Sequence, residues 1–359
     1  MFKATSYHLI DQLLASDIYS ESGVLLLPKG YRLKAADITM LLNREIYEVQ
    51  INHSTEASPS TISETVSEQF SDLWINPNNS LKEKYLSSLE NIKSLFKQSI
   101  HEQIPSLQEF MEVYAPLFEE TIQQSFLFHP LHKIRGHDEY TYRHSINVGL
   151  LSGVIGKVLG LKYNEIYLLG QMGLLHDLGK LKIQEQILNK PGKLTQDEYN
   201  IIKRHTIYGY ELLQEMKGTN ESINRGALSH HERLDGSGYP YKVKGDEIPF
   251  LIQILSVADT YDAICSDRIY QQKASPYYAV QELMMGVHLG KFSPTIVIPF
   301  VNYLTEGYVG DQAVLDNGDI GEVIYIHPEE PHRPLIRIGS DYLDLRKHRN
   351  INILDVIPY

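Results

Sequence analysis

A chain of 359 residues is too long for one ordinary domain and suits two or three, and a hydrophobic fraction of 42% allows a sizeable core. A net charge of −12 excludes a general nucleic-acid binder of DNA or RNA, which needs basic patches. A mean hydropathy of −0.26, with no apolar run near the roughly 20 residues of a bilayer span, argues against a membrane protein. The single cysteine, Cys265, excludes an internal disulfide and a Cys-rich metal site, and its apolar surroundings read as those of a core thiol. Met1-Phe-Lys-Ala-Thr-Ser lacks the pattern of a signal peptide, so the expected location is cytoplasmic.

Residues 1–52 read as a small α/β unit, with a strand within 23–30, a short helix over 35–42 and an alternating strand over 46–51. Residues 53–128 begin as a Ser/Thr/Asn/Glu-rich linker and continue as two helices, over 81–96 and 107–128. These two are either packing helices or the contact of a homodimer. Residues 129–306 read as an all-α block of about seven helices. One covers 142–159 and stops at Gly160; the next covers 165–176. Thr195-Gln-Asp-Glu198 is a capping box that opens a helix to about residue 217. Helices over 222–231 and 251–266 follow, and Ser275-Pro276 and Ser293-Pro294 each read as an N-cap with Pro at the first helical position. Residues 307–359 read as four or five short strands in a small β-barrel-like subdomain, with a turn at Asp316-Asn-Gly-Asp. The expected fold is therefore mainly α, with a small N-terminal α/β unit and a small β-rich C-terminal subdomain.

His144, His176, Asp177, His205, His230, His231 and Asp259 all fall on helices or helix ends of the α block, beside apolar residues. A lone histidine on an apolar face is usually an ordinary core residue. Seven such groups in one block are a different matter, because a buried carboxylate needs a partner. Imidazole and carboxylate are the donors that Fe, Mn, Ni, Zn or Co take as divalent ions. Seven donors exceed the needs of one tetrahedral ion and suit two ions about 3.5–4 Å apart, bridged by a carboxylate and a hydroxide.

His176-Asp177-Leu-Gly-Lys180, followed by His230-His231-Glu232-Arg-Leu-Asp235-Gly236-Ser-Gly238-Tyr239-Pro240, resembles the HD-GYP family of the HD phosphohydrolase superfamily. The HD dipeptide is a weak signal, whereas the HHE-x-x-DG-x-GYP run is specific and complete. Asp138 to His144, Leu188 to Lys193 and Val257-Ala-Asp259 also match, so the resemblance spans roughly 129–306. It implies a metal-dependent phosphodiesterase that hydrolyses cyclic di-GMP to pGpG and/or GMP, with Fe or Mn as the foremost metals and diguanylate cyclase-type proteins as partners. It assigns His144, His176, Asp177 and Asp259 to one metal and His205, His230 and His231 to a second, with Asp177 bridging. It places Lys180 and Arg268 on substrate phosphate. Gly238, Tyr239 and Pro240 read as substrate-binding, with Tyr239 either lining the substrate groove or contacting a partner, and Glu232 and Asp235 read as orienting the imidazoles or loop amides from behind the ligands. Tyr140 stands where some members carry a Glu for a third metal, which implies two metals here. Gln271 and Gln272 stand where basic residues often follow the arginine, with Lys273 next. Another cyclic dinucleotide as substrate, or a non-catalytic cyclic di-GMP binder, are the competing readings.

Overall fold

The computed structural model describes residues 2–4, 13–19, 25–33, 41, 46, 48–51, 79–101, 104–123, 140–190, 192–266 and 276–357. They divide into two compact units, Met1–Thr65 and Val66–Tyr359. In the first, β1 (Phe2–Ala4) pairs antiparallel with β4 (Glu48–Gln50), and β2 (Ile18–Tyr19) with β3 (Leu25–Leu27). Leu14, Ile18, Leu27, Leu33, Leu41, Val49 and Ile51 form its core. Of the helix expected over 35–42, all but Leu41 lies outside the described residues.

The second unit is mainly α. Helix α1 (Asn79–His101) and α2 (Leu107–Gln123) share a core with the helices that follow. α2 opens on a reciprocal cap, in which Glu109 Oε2 accepts from the Ser106 backbone N–H and hydroxyl, both at 2.7 Å. The apolar stripes of both helices are buried: Phe96 meets Phe110 edge-on at 5.8 Å and Tyr142 at 5.6 Å.

Helices α3 (Tyr140–Val158) and α4 (Tyr163–Leu175) lie nearly backbone to backbone. A Cβ at Gly173 would sit 2.5 Å from Gly149 Cα, and one at Gly149 would sit 2.3 Å from the Tyr114 hydroxyl of α2. Only glycine permits this approach, and it brings His144 on α3 beside His176, which caps α4. Gly160, with φ +72°, lies just past the end of α3, where the sequence predicts the helix to stop.

After α4 comes a 3₁₀ turn (Leu178–Lys182), then α5 (Glu185–Leu188), α6 (Gln196–Lys203), α7 (His205–Glu215), α8 (Glu221–Ser229), α9 (Phe250–Cys265), α10 (Pro276–His288) and α11 (Pro294–Glu306). Thr195 caps α6 by accepting from the Glu198 N–H, as its sequence predicts. The single helix expected from there to residue 217 is instead two, because the chain tightens at Arg204, whose N–H bonds to Ile201 O at 3.1 Å. Ser293 occupies the N-cap of α11 without capping it; its hydroxyl pairs with that of Thr295 at 2.8 Å. Cys265 is buried.

The C-terminal strands β5 (Gln312–Leu315), β6 (Ile320–Tyr325), β7 (Leu335–Ile338), β8 (Asp341–Asp344) and β9 (Ile353–Ile357) form one antiparallel sheet in the order β8-β7-β6-β5-β9. It is an open sheet, not a barrel: among the described residues β8 and β9 each pair on one side only. The sheet is tied to α10, where the Tyr277 hydroxyl donates to His332 O at 2.5 Å and Tyr277 joins its core. Among the described residues no helix is long and apolar enough to cross a membrane.

Candidate metal centre

Three of the histidines are held by one local device. At or just past a helix end, the imidazole turns back so that Nδ1 meets a carbonyl three residues earlier. His176 Nδ1 donates to Gly173 O at 2.7 Å, His205 Nδ1 to Ile202 O at 2.7 Å, and His230 Nδ1 to Ala227 O at 2.9 Å. A carbonyl only accepts, so the proton sits on Nδ1 and each Nε2 keeps its lone pair. These lone pairs converge: His205 Nε2 lies 3.2 Å from His230 Nε2.

The two aspartates stand between the imidazoles. Asp177 Oδ2 lies 3.4 Å from His144 Nε2 and 3.3 Å from His176 Nε2. Its other oxygen, Oδ1, lies 3.3 Å from His205 Nε2 and 3.8 Å from His230 Nε2. Asp259 Oδ1 faces His144 Nε2 at 3.1 Å, and its Oδ2 faces His231 Nδ1 at 3.5 Å. The seven residues singled out in the sequence therefore lie together. They include three groups whose donor atoms lie within 4.8 Å of one another: His205, His230 and His231; His144, His176 and Asp259; and His176, Asp177 and His230.

The electrostatics are those of a cation site. Burial lowers His205 to about 4 and pushes His230 and His231 well below the usual imidazole range, so all three present neutral rings. Burial works to lower His144 as well, but hydrogen bonds to Asp259 and then Asp262 outweigh it and raise it to about 9. Burial works to raise Asp177, but the charges of His176 and Lys180 outweigh it and hold the carboxyl well below its usual range. Among the described residues, buried His176 Nε2 and Asp177 Oδ1 have no hydrogen-bond partner. The neutral imidazoles of His205, His230 and His231, the ionised Asp177 and the orphaned lone pairs aimed inward fit divalent metal ions.

Lys180, in the 3₁₀ turn, donates from Nζ to Asp177 Oδ2 at 2.5 Å. Gly179 lets this turn pass against α7, since a Cβ there would sit 2.0 Å from His205 O. Glu232 Oε1 accepts from the backbone N–H groups of Tyr241 and Lys242 at 2.7 and 3.1 Å, which folds the loop back on the histidine pair. Asp235 instead closes its own turn onto Ser237 at the surface. Gly238 packs so tightly that a Cβ would lie 2.4 Å from His231 O. The cis Tyr239–Pro240 bond follows, and the Tyr239 ring lies 4.6 Å from that of His231. Lys203 Nζ stands 5.3 Å from the Tyr239 ring and 4.4 Å from that of Tyr199, which makes an aromatic and cationic rim. Tyr140 stacks on His144 at 5.4 Å. Arg268, Gln271, Gln272 and Lys273 lie outside the described residues.

Two functional neighbours escape the sequence reading. Asp262 receives His144 Nδ1 at 2.7 Å; its only signal is a position one helical turn after Asp259. Arg233 donates to His230 O, Glu232 O and Ser256 Oγ, and so pins the histidine pair to α9. Its position inside the HHE-x-x-DG run was the available signal.

Residues 133–296 match the family model described as HD domain. The complete HHE-x-x-DG-x-GYP run lies inside that match. A relative from Pseudomonas aeruginosa, "Cyclic di-GMP phosphodiesterase PA4108", is 34% identical over 224 residues, which is 61% of this chain and 54% of that one. "Cyclic di-GMP phosphodiesterase" of Thermotoga maritima is 37% identical over 188 residues, 50% of each chain. "3'3'-cGAMP-specific phosphodiesterase 3" of Vibrio cholerae is 37% identical over 132 residues, 37% of this chain and 28% of its own. The chain thus spans about half the length of the first two relatives and less of the third.

Proposed function

We propose that this chain is a metal-dependent phosphodiesterase that hydrolyses cyclic di-GMP to pGpG and/or GMP. The observation that carries the reading is the Asp177 carboxylate, whose two oxygens face two separate imidazole pairs, His144/His176 and His205/His230. That is the geometry of a bridging ligand. His144, His176, Asp177 and Asp259 would hold one divalent ion, and His205, His230 and His231 with Asp177 the other. Fe or Mn leads, and Ni, Zn or Co satisfy the same donors. Ions bound there supply Lewis acidity and lower the pKa of bound water from 15.7 to about 7.

The chain's own residues do the rest. His144, His176, His205 and His230 keep their proton on Nδ1 and offer a fixed Nε2. Lys180 sits at Asp177 with an ammonium free to share with a phosphate oxygen, and Arg268 is the proposed second phosphate cation. Gly238, Tyr239 and Pro240 shape the wall beside His231. No protein nucleophile is required.

Relatives whose names carry cyclic di-GMP support this substrate, and the Vibrio cholerae relative supports a second reading, a mixed cyclic dinucleotide. A cytoplasmic site of action and a diguanylate cyclase-type partner belong to the same proposal, because the substrate must be made nearby. The test is anaerobic incubation of Fe- or Mn-loaded protein with cyclic di-GMP and 3′3′-cGAMP side by side, with Asp177→Ala as control. Turnover of cyclic di-GMP that vanishes with the metals in Asp177→Ala is expected. Faster turnover of the mixed nucleotide favours the second reading; binding without turnover of either favours a non-catalytic receptor.

A further inference from the structure

His144 differs from the other buried imidazoles of the centre. His176, His205 and His230 lean on carbonyls of their own segment, whereas His144 Nδ1 leans on a side chain from another helix. That partner is Asp262 on α9, fully buried, with Oδ2 at 2.7 Å from His144 Nδ1. Asp262 Oδ1 accepts from Asn147 Nδ2 at 3.0 Å, and Ser266 Oγ donates to Oδ2 at 3.0 Å. Asn147 Oδ1 in turn accepts from the Tyr85 hydroxyl at 3.0 Å. Tyr85, on α1, is 1% exposed and lies well before residues 133–296 that match the HD domain.

The polarity of this chain is forced. An ionised carboxylate only accepts, so Asn147 must present its NH₂ to Asp262 and its carbonyl to α1. Tyr85 must therefore donate. Without that hydroxyl the Asn147 carbonyl is buried and unpaired, and the amide loses the reason to keep its NH₂ on Asp262.

We propose that Tyr85, Asn147 and Asp262 are positioning residues that fix the ring and tautomer of His144, so that α1, from outside the family domain, sets the metal affinity of that half of the centre. Outer partners of ligating histidines commonly carry such control. This inference rests on the reading of His144 as a metal ligand.

The test is Mn²⁺ titration of the metal-stripped full-length chain, followed by electron paramagnetic resonance and a competing chelator, with melting of the metal-free chain alongside. Wild type is expected to take two ions. Asp262→Asn is expected to weaken one of the two steps roughly 10–100-fold and leave the other in place. Tyr85→Phe, which removes one atom and is the variant to read if Asp262→Asn does not fold, is expected to weaken the same step less, with a changed Mn²⁺ spectrum and chelator resistance between those of wild type and Asp262→Asn. Asp262→Glu is expected to restore part of the affinity. Equal weakening of both steps, or unchanged Mn²⁺ affinity with a lower metal-free melting temperature, would overturn the proposal in favour of a purely structural role. A wild type that takes up no Mn²⁺ sinks this inference and the metal centre together. One that binds two ions without cyclic dinucleotide turnover sinks only the proposed activity.

Discussion

His205 and His230 face each other through Nε2 atoms 3.2 Å apart, and neither atom carries a proton, because both protons are committed to backbone carbonyls. Two lone pairs at that distance repel unless a cation lies against them. Metal removal should therefore cost stability. At a thousand-fold excess over Kd, one bound ion contributes about 4 kcal/mol. Calorimetry with Mn²⁺ and again with EDTA should show a clear fall in Tm on chelation; an unchanged Tm counts against the site.

Lys180 shares its ammonium with Asp177, on the side that also faces His144 and His176. If its task is the substrate phosphate, Lys180→Met should keep the bound metal and lose turnover. A charge-assisted hydrogen bond is worth about 1.5–3 kcal/mol, so kcat/KM should fall roughly 10–100-fold. Elemental analysis of the variant separates this from the alternative, in which Lys180 merely holds Asp177 and the metal content drops.

Gly238 is pressed against the backbone of His231, Glu232 and Arg233. Gly238→Ala has to push those strands of backbone apart. Overpacking of this kind costs about 1–3 kcal/mol, and here the displaced segment carries a candidate ligand. Denaturant midpoints should fall, and Mn²⁺ affinity should fall with them. Ser237→Ala, one residue earlier and exposed, should do neither.

His332 gives the C-terminal sheet a pH dependence. Burial lowers its pKa to about 4, and its Nδ1 is buried without a hydrogen-bond partner. The unfolded chain binds a proton there near 6.5, but the folded chain does so only near 4. The unfolded state therefore holds more protons in between, and stability falls as pH drops from about 6.5 towards 4. The full shift corresponds to roughly 3 kcal/mol, less whatever solvent screens at this half-buried ring. Urea midpoints at several pH values should show a shallower acid slope for His332→Asn, whose backbone still accepts from Tyr277.

What the sequence displayed of this molecule follows from the range of each interaction. Capping at Thr195 and the stop at Gly160 are decided within one turn, and their spacing showed them. The seven imidazoles and carboxylates stood out because each sits on an apolar face where it needs a reason. Asp262 did not, since its partner His144 is 118 residues away and nothing local links them. The break at Arg204 was hidden because either neighbour continues a helix pattern; it is the turn of His205 onto Ile202 that marks the junction. The open form of the C-terminal sheet was equally hidden, as strand composition says nothing about whether the last strand closes on the first.

Tyr114 and Phe118 of α2 lie over the glycines of α3 and α4, and Tyr85 of α1 reaches Asn147. The stretch that matches the family model and the stretch that must fold together are thus of different lengths. A protein trimmed to residues 133–296 would keep all seven candidate ligands and lose the roof above them. The bare glycine faces of α3 and α4 would meet water, and the cleanest-looking boundary for making a minimal enzyme would be the wrong place to cut.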